Sequence, residues 1–131
     1  MKYIGIIGSR KRDSDHDLKC CEEQFLKIYE EGDVIVSGGC PKGGDRFAGV
    51  IAKKYNVEIV LFPPDWEKYG KRAGFQRNAI IADKSEILIA IVTKNLSESK
   101  GTMNTVGMVR AQGKEVILDD NEEPFNPENI G

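Results

Sequence analysis

The stretch "DVIVSGGCPKGGDRFAGVIAKKY", Asp33–Tyr55, passes from a β-branched run through a glycine loop into an amphipathic segment. Asp33–Gly38 is apolar without polar alternation, the pattern of a strand covered on both faces. Phe47, Val50 and Ile51 then fall at helical spacing. Between them Gly38, Gly39, Gly43 and Gly44 supply bare backbone, which turns tightly and lets a ligand approach where a Cβ would stand in the way. Strand, glycine turn and helix in this order form half of a βαβ unit, so a parallel sheet with crossover helices is expected.

The same alternation extends along the chain. Tyr3–Gly8, Val57–Phe62, Glu86–Val92 and Glu115–Asp119 are further short runs rich in Ile and Val, read as buried parallel strands. Leu18, Cys21, Phe25, Ile28 and Tyr29 fall at helical spacing after the capping candidates Asp13, Ser14 and Asp15. Phe75, Ala79 and Ala82 mark a third helix, and Met103, Val106 and Val109 a fourth. The fold class is therefore α/β: three layers, with helices on both faces of a five-stranded, mainly parallel sheet in the expected order 3-2-1-4-5. Residues 1–120 read as one domain and 121–131, with Pro124 and Pro127, as a loose polar tail.

At 131 residues the chain is long enough for a real core, and 40% apolar with 31% charged residues describes a soluble protein. No apolar run approaches the ~20 residues of a membrane span. "MKYIGIIGSR" turns too soon into a glycine loop for a secretory signal and reads as the first strand of a cytoplasmic protein. The three cysteines, Cys20, Cys21 and Cys40, are odd in number and read as reduced thiols. Without Cys and His at metal-ligand spacing no metal site is expected, and no motif asks for a resident cofactor. His16, the lone histidine, precedes the first helix without an evident partner and reads as a surface residue. Nucleophilic chemistry of the Ser-His or Cys-His kind has little to work with.

In such sheets ligands bind beyond the strand C-termini, where the order reverses. That crevice lies between the first and fourth strands, flanked by "GSRKRD" and "TKNLSESKGT". Residues 9–13, 37–46, 63–77 and 93–101 carry 11 Lys and Arg against 5 Asp and Glu, although the whole chain is −2. Positive charge is thus gathered where a ligand is expected. The glycine loop feeds a helix N-terminus, whose free N–H groups favour an anion, and "SKGT", Ser99–Thr102, opens a second one. Phosphate is the expected guest. Arg10 and Arg77 offer planar forks for it, although Lys11 and Arg12 continue the charge of Arg10 as a solvated face would. Trp66 and Tyr69 are candidates to stack a base, or else pin a loop.

The ordered set "GSR", "SGGCPKGGDRFA", "PPDWEKYGKRAGFQRNAIIADKSEILIAI" and "SKGT" resembles the small bacterial and phage branch of the SLOG superfamily, with YspA and YpsA proteins, Smf/DprA proteins and Lonely Guy phosphoribohydrolases as relatives. The resemblance spans residues 3–118. It implies a Rossmann-like fold binding a nucleotide or nucleotide-derived ligand. It places Gly8, Ser9 and Arg10 in a first phosphate-side loop and Gly38, Gly39, Gly44 and Asp45 in a second. Arg77 corresponds to the arginine of the Lonely Guy helix motif, and Gly101 and Thr102 to the Gly-Thr pair.

One departure matters. Where those enzymes carry a glutamate after two residues that follow Gly-Thr, this chain has Thr105, and "SES" replaces their "PGG". A hydroxyl does not stabilise an oxocarbenium-like centre or activate water as a carboxylate does. Asp45 and Glu98 remain as catalytic candidates. Asp45 has a helix-capping alternative, and Glu98 that of an ordinary loop acid.

Three functions follow: a nucleotide-binding sensor or carrier, an N-glycosidic hydrolase or transferase, and a single-stranded DNA binder. The acidic total argues against nucleic acid as the main partner, because backbone binding draws on many cations at once. A homodimer through exposed helix faces is the ordinary expectation.

Overall fold

The computed structural model describes residues 1–123; the expected tail from 124 onward lies outside the described residues. Five strands, β1 (Tyr3–Gly8), β2 (Val34–Ser37), β3 (Ile59–Leu61), β4 (Ile87–Ile91) and β5 (Glu115–Asp119), form one sheet in the order β3-β2-β1-β4-β5. Every pairing is parallel, so the sheet expected as mainly parallel is wholly so. The helices are α1 (Asp15–Ile28), α2 (Gly44–Tyr55), α3 (Trp66–Tyr69), α4 (Ala73–Lys84) and α5 (Lys100–Ala111). None among the described residues is long and apolar enough to cross a membrane.

Successive strand residues point to opposite faces, and the cores divide accordingly. Ile4, Ile6, Ile35, Ile89 and Ile91 pack with Cys21 and Phe25 of α1 and Phe47 and Ile51 of α2. Ile7, Val36, Leu88 and Ala90 pack with Ile81 and Ala82 of α4 and Val106 and Val109 of α5. Helices therefore cover both faces, giving a Rossmann-like α/β fold whose order reverses between β1 and β4.

Only the three central strands are as buried as the apolar runs suggested. β3 is short, with Ile59 and Val60 half-covered and Leu61 exposed. β5 buries only Asp119. Both are edge strands, each with a single neighbour. Phe75 departs from its expected place in a core-facing stripe: it is 62% exposed, while Ala82 is buried as expected and Ala73 and Ile81 bury beside it. Val50 is likewise exposed, while Ala48 and Ala52 join Phe47 and Ile51 in the core. "WEKY", read as loop, forms the helical turn α3 because the Asp65 carboxylate accepts the Lys68 N–H at its start.

A second correction concerns charge. Arg12 is not part of a solvated face; it is wholly buried. Its Nε donates to Asp17 Oδ1 (2.8 Å), and Nη1 donates to the carbonyls of Val92 and Asp119 and to Asp119 Oδ1. Nη2 reaches the Asn121 carbonyl at 3.1 Å. One guanidinium thus gathers the C-terminal ends of β4 and β5 and the start of α1. Asn121, the first residue of the expected loose tail, is held by this clamp. Its carbonyl also accepts from His16 Nε2 at 2.8 Å, so His16 lies within α1 with a partner instead of free on the surface.

Ser14 is the N-cap of α1, in a capping box with Asp17. Asp13 does other work. Its Oδ1 accepts the Gly43 N–H (2.8 Å) and Arg46 Nε (2.7 Å), tying the β1–α1 turn to the start of α2.

Candidate functional site

Beyond the C-terminal ends of β1 and β4 opens a crevice with two connected parts. The inner pocket, about 380 Å³, is lined by Gly8, Ser9, Arg10 and Lys11 after β1, by Cys40, Lys42 and Asp45 of the glycine loop and α2, by Arg77, Asn78 and Ile81 of α4, and by Glu98–Thr102 and Thr105 at the start of α5. The outer pocket, about 490 Å³, is walled by Gly38, Gly39, Pro41, Pro63, Pro64, Trp66, Lys71, Gly74 and Phe75. Arg10, Cys40, Arg77, Asn78 and Gly101 line both.

Local sequence shapes each wall. After β1 the Ser9 N–H donates to the Ile91 carbonyl, and Ser9 Oγ accepts the Lys11 N–H, curling Arg10 outward. Ser99 is the N-cap residue of α5, but its hydroxyl is engaged with Thr93, so the helix start carries no side-chain cap. Such a start presents N–H groups and the positive end of the helix dipole to the pocket. Asn78 Nδ2 donates to the Gly101 carbonyl (3.5 Å) and to Asn104 Oδ1 (3.4 Å), fixing α4 against α5.

The four loop glycines divide by role. A Cβ on Gly44 would lie within the Ile7–Gly8 backbone, and one on Gly43, which has φ of 66°, would lie 2.6 Å from the Ser9 carbonyl oxygen. These two let α2 approach β1, and neither lines a pocket; this corrects their expected place against a ligand. The start of α2 already holds a protein anion, Asp13, in part of the place where phosphate was expected. Gly38 and Gly39 do line the outer pocket. A Cβ at 38 would collide with the Arg77 guanidinium and the Asp45 carboxylate.

Arg77 therefore reaches into the glycine loop, with Nη1 donating to the Gly38 carbonyl at 3.4 Å and Nε to Asn78 Oδ1 at 3.0 Å. Asp45 accepts the Cys40 N–H at 3.0 Å, closing the loop over α2. Burial pushes its carboxyl above the usual carboxylate range, outweighing the Cys40 hydrogen bond and the charge of Arg77. Glu98, the other candidate acid, pairs with Lys11 Nζ at 3.4 Å, both side chains substantially exposed. Thr105 lies buried at the inner pocket, its hydroxyl donating to the Gly101 carbonyl. Of the two candidate rings, Trp66 lines the outer pocket and Tyr69 lines neither. The turn at Gly70, with φ of 55°, follows Tyr69, whose ring lies under Lys68 Nζ.

Residues 8–69 match the family model described as YAcAr: YspA, cpYpsA-related SLOG family. Over that segment, just under half of its length, the chain is similar to the SLOG superfamily. No curated protein and no solved structure matches it. The matched segment runs from the end of β1 through α3, covering both glycine loops and Trp66. Arg77 and the α5 entry lie beyond it, and their place in the crevice comes from its geometry alone. Among the described residues no cluster of three or more His, Cys, Asp or Glu is arranged to hold a metal.

Sequence reasoning passed over Phe75 and Lys100 as site residues, and named Lys42 nowhere. The exposure of Phe75 depends on the phase of α4 against the sheet, which apolar spacing alone does not fix. Lys42 and Lys100 carried a legible signal, since each sits in a glycine-bearing turn on the basic face.

Proposed function

We propose that this chain binds a nucleotide or nucleotide-derived anion in the crevice and works as a sensor or carrier. The observation that carries the reading is the inner pocket, where the β1 turn and the uncapped start of α5 meet five cations, Arg10, Lys11, Lys42, Arg77 and Lys100, against two carboxylates, Asp45 and Glu98. A pocket of that charge balance favours a phosphate group. The family match supports a nucleotide-related role. The setting we propose is a cytoplasmic homodimer acting on small molecules, with nucleic acid disfavoured as a partner by a net charge of −2.

A second reading, cleavage or transfer at a nucleotide N-glycosidic bond, is favoured by one feature. Asp45 is a carboxyl in the inner pocket whose ionisation burial opposes, as suits a general acid. Thr105, in place of the carboxylate the related phosphoribohydrolases use, weighs against it.

A thermal-shift screen over nucleoside mono-, di- and triphosphates, nicotinamide dinucleotide and ADP-ribose tests the proposal, because a ligand that binds only the folded state raises its stability by mass action. Stabilisation by at least one of them, confirmed by calorimetry, is the expected result. No shift with any at millimolar concentration would reject it.

A further inference from the structure

The inner pocket's cations leave the outer pocket unexplained, and its chemistry is different. Trp66 and Phe75 stand at it 60% and 62% exposed, while Phe25 and Phe47 are wholly buried. Pro41, Pro63 and Pro64 complete its walls. Neither ring hangs on a free loop. Trp66 opens α3, whose start Asp65 caps. Phe75 lies three residues before Asn78 and so on the same face of α4, which Asn78 ties to α5. Rings held in place before binding lose little freedom when a partner covers them.

Gly74, next to Phe75 in the first turn of α4, adds a second observation. A Cβ there would meet nothing within 4 Å, and its φ is not left-handed, so neither packing nor backbone conformation requires glycine. Glycine is nonetheless the least favourable helix residue after proline. Gly49 and Gly107 are equally unhindered but line no pocket, whereas the space that Gly74 leaves open is pocket.

We infer that the outer pocket takes a planar aromatic ring, stacked on Trp66 and Phe75 over Gly74, so that the ligand is a nucleotide with its base in place instead of inorganic phosphate or a sugar phosphate. The inference rests on the proposed function. Arg10, Arg77, Asn78 and Gly101 line both pockets, so a ring in one and an anion in the other belong to one molecule.

The test titrates the full chain with inorganic pyrophosphate, ribose 5-phosphate, ADP, GDP, CDP and UDP, by calorimetry and by the fluorescence of Trp66, the sole tryptophan. At least one nucleoside diphosphate binds more tightly than pyrophosphate and quenches Trp66, while pyrophosphate and ribose 5-phosphate do not quench. Phe75→Ala and Gly74→Leu weaken that nucleotide by about five- to a hundredfold, the range of base–aromatic stacking, and leave pyrophosphate unchanged. Phe75 is exposed and a Cβ at Gly74 meets nothing within 4 Å, so folding is retained. Equal affinity for pyrophosphate and every nucleotide, or nucleotide affinity indifferent to both variants, overturns the inference and leaves the anion site standing. Binding of none of these probes overturns the inference, and overturns the proposed function with it if the thermal-shift screen over mono- and triphosphates, nicotinamide dinucleotide and ADP-ribose also shows no shift.

Discussion

The Arg77 guanidinium lies 3.9 Å from the Asp45 carboxylate, across the space that a Cβ at residue 38 would fill. The pair joins α4 to the start of α2 through a glycine that neither helix contains. Arg77 has one neutral acceptor and one distant carboxylate on this side, which leaves donor capacity for a ligand anion. A charge-assisted hydrogen bond contributes about 1.5–3 kcal/mol, so Arg77→Ala weakens nucleotide binding about tenfold or more. Calorimetry on both proteins checks it, and equal affinities would place the ligand elsewhere.

Gly38→Ala tests the same contact from the other side. The added methyl meets only side-chain ends, the Arg77 guanidinium and the Asp45 carboxylate, so both shift and the fold survives, with a stability loss of about 1–3 kcal/mol from overpacking. Nucleotide affinity falls as in Arg77→Ala. A variant that unfolds outright, or one that binds like the wild type, contradicts this account of the glycine.

Arg12 governs stability, not binding. Removing it leaves Asp17 and Asp119, both nearly buried, without their cation. Breaking a buried pair in this way costs about 3–5 kcal/mol, a large share of the 5–15 kcal/mol typical of a domain. Arg12→Met is expected to lower the urea midpoint accordingly. A change under about 1 kcal/mol would mean that the clamp is dispensable.

Two sets of carboxylates make stability depend on pH in opposite senses. Burial opposes ionisation of Asp119, but hydrogen bonds from Gln24 and Arg12 outweigh it; Asp13 is held down by Arg46 and the Gly43 N–H. Both lie below the ordinary value near 3.8, so their stabilisation is present above that value and is lost as pH falls through their folded-state values. Asp45 lies above it, so its contribution is present at low pH and lost as pH rises through its folded-state value. Asp45→Asn is therefore expected to be at least as stable as the wild type at pH 7, with the difference closing toward pH 3.5. Urea unfolding at three pH values checks the sign. A variant less stable at pH 7 would show that pairing with Arg77 outweighs desolvation.

Where the ligand crevice lies was legible because β-branched runs, glycine turns and strand order are local or topological features. Ser9, Arg10, Arg77, Ser99, Gly101 and Thr102 all meet in it. What was not legible depended on long-range partners. Nothing near Arg12 in the sequence announces Asp119, 107 residues away, and a basic triplet ordinarily reads as solvated. Gly44 looked like part of a phosphate loop because a glycine that admits a ligand and one that admits a neighbouring strand are the same residue in sequence. Only the Ile7–Gly8 backbone beside it separates the two. Phe75 was assigned to the core for want of the helix phase.

The last prediction concerns turnover. At the inner pocket the related phosphoribohydrolases would present a carboxylate where this chain presents the Thr105 hydroxyl, already donating to the Gly101 carbonyl. A hydroxyl so engaged neither accepts a proton from water nor balances positive charge developing on a ribosyl carbon. Glu98 is drawn to Lys11 at the exposed rim, and Asp45 holds the Cys40 N–H. The wild type is therefore expected to bind a nucleotide without releasing its base, in calorimetry and chromatography on the same preparation. Thr105→Glu restores the carboxylate in a buried position, at a stability cost of a few kcal/mol from desolvation. Rapid base release from a nucleoside monophosphate by the wild type, abolished in Asp45→Asn or Glu98→Gln, would replace the sensor reading with an enzyme. Release retained in both variants would point to a contaminating hydrolase, which an Arg77→Ala preparation made in parallel would reveal by showing the same rate.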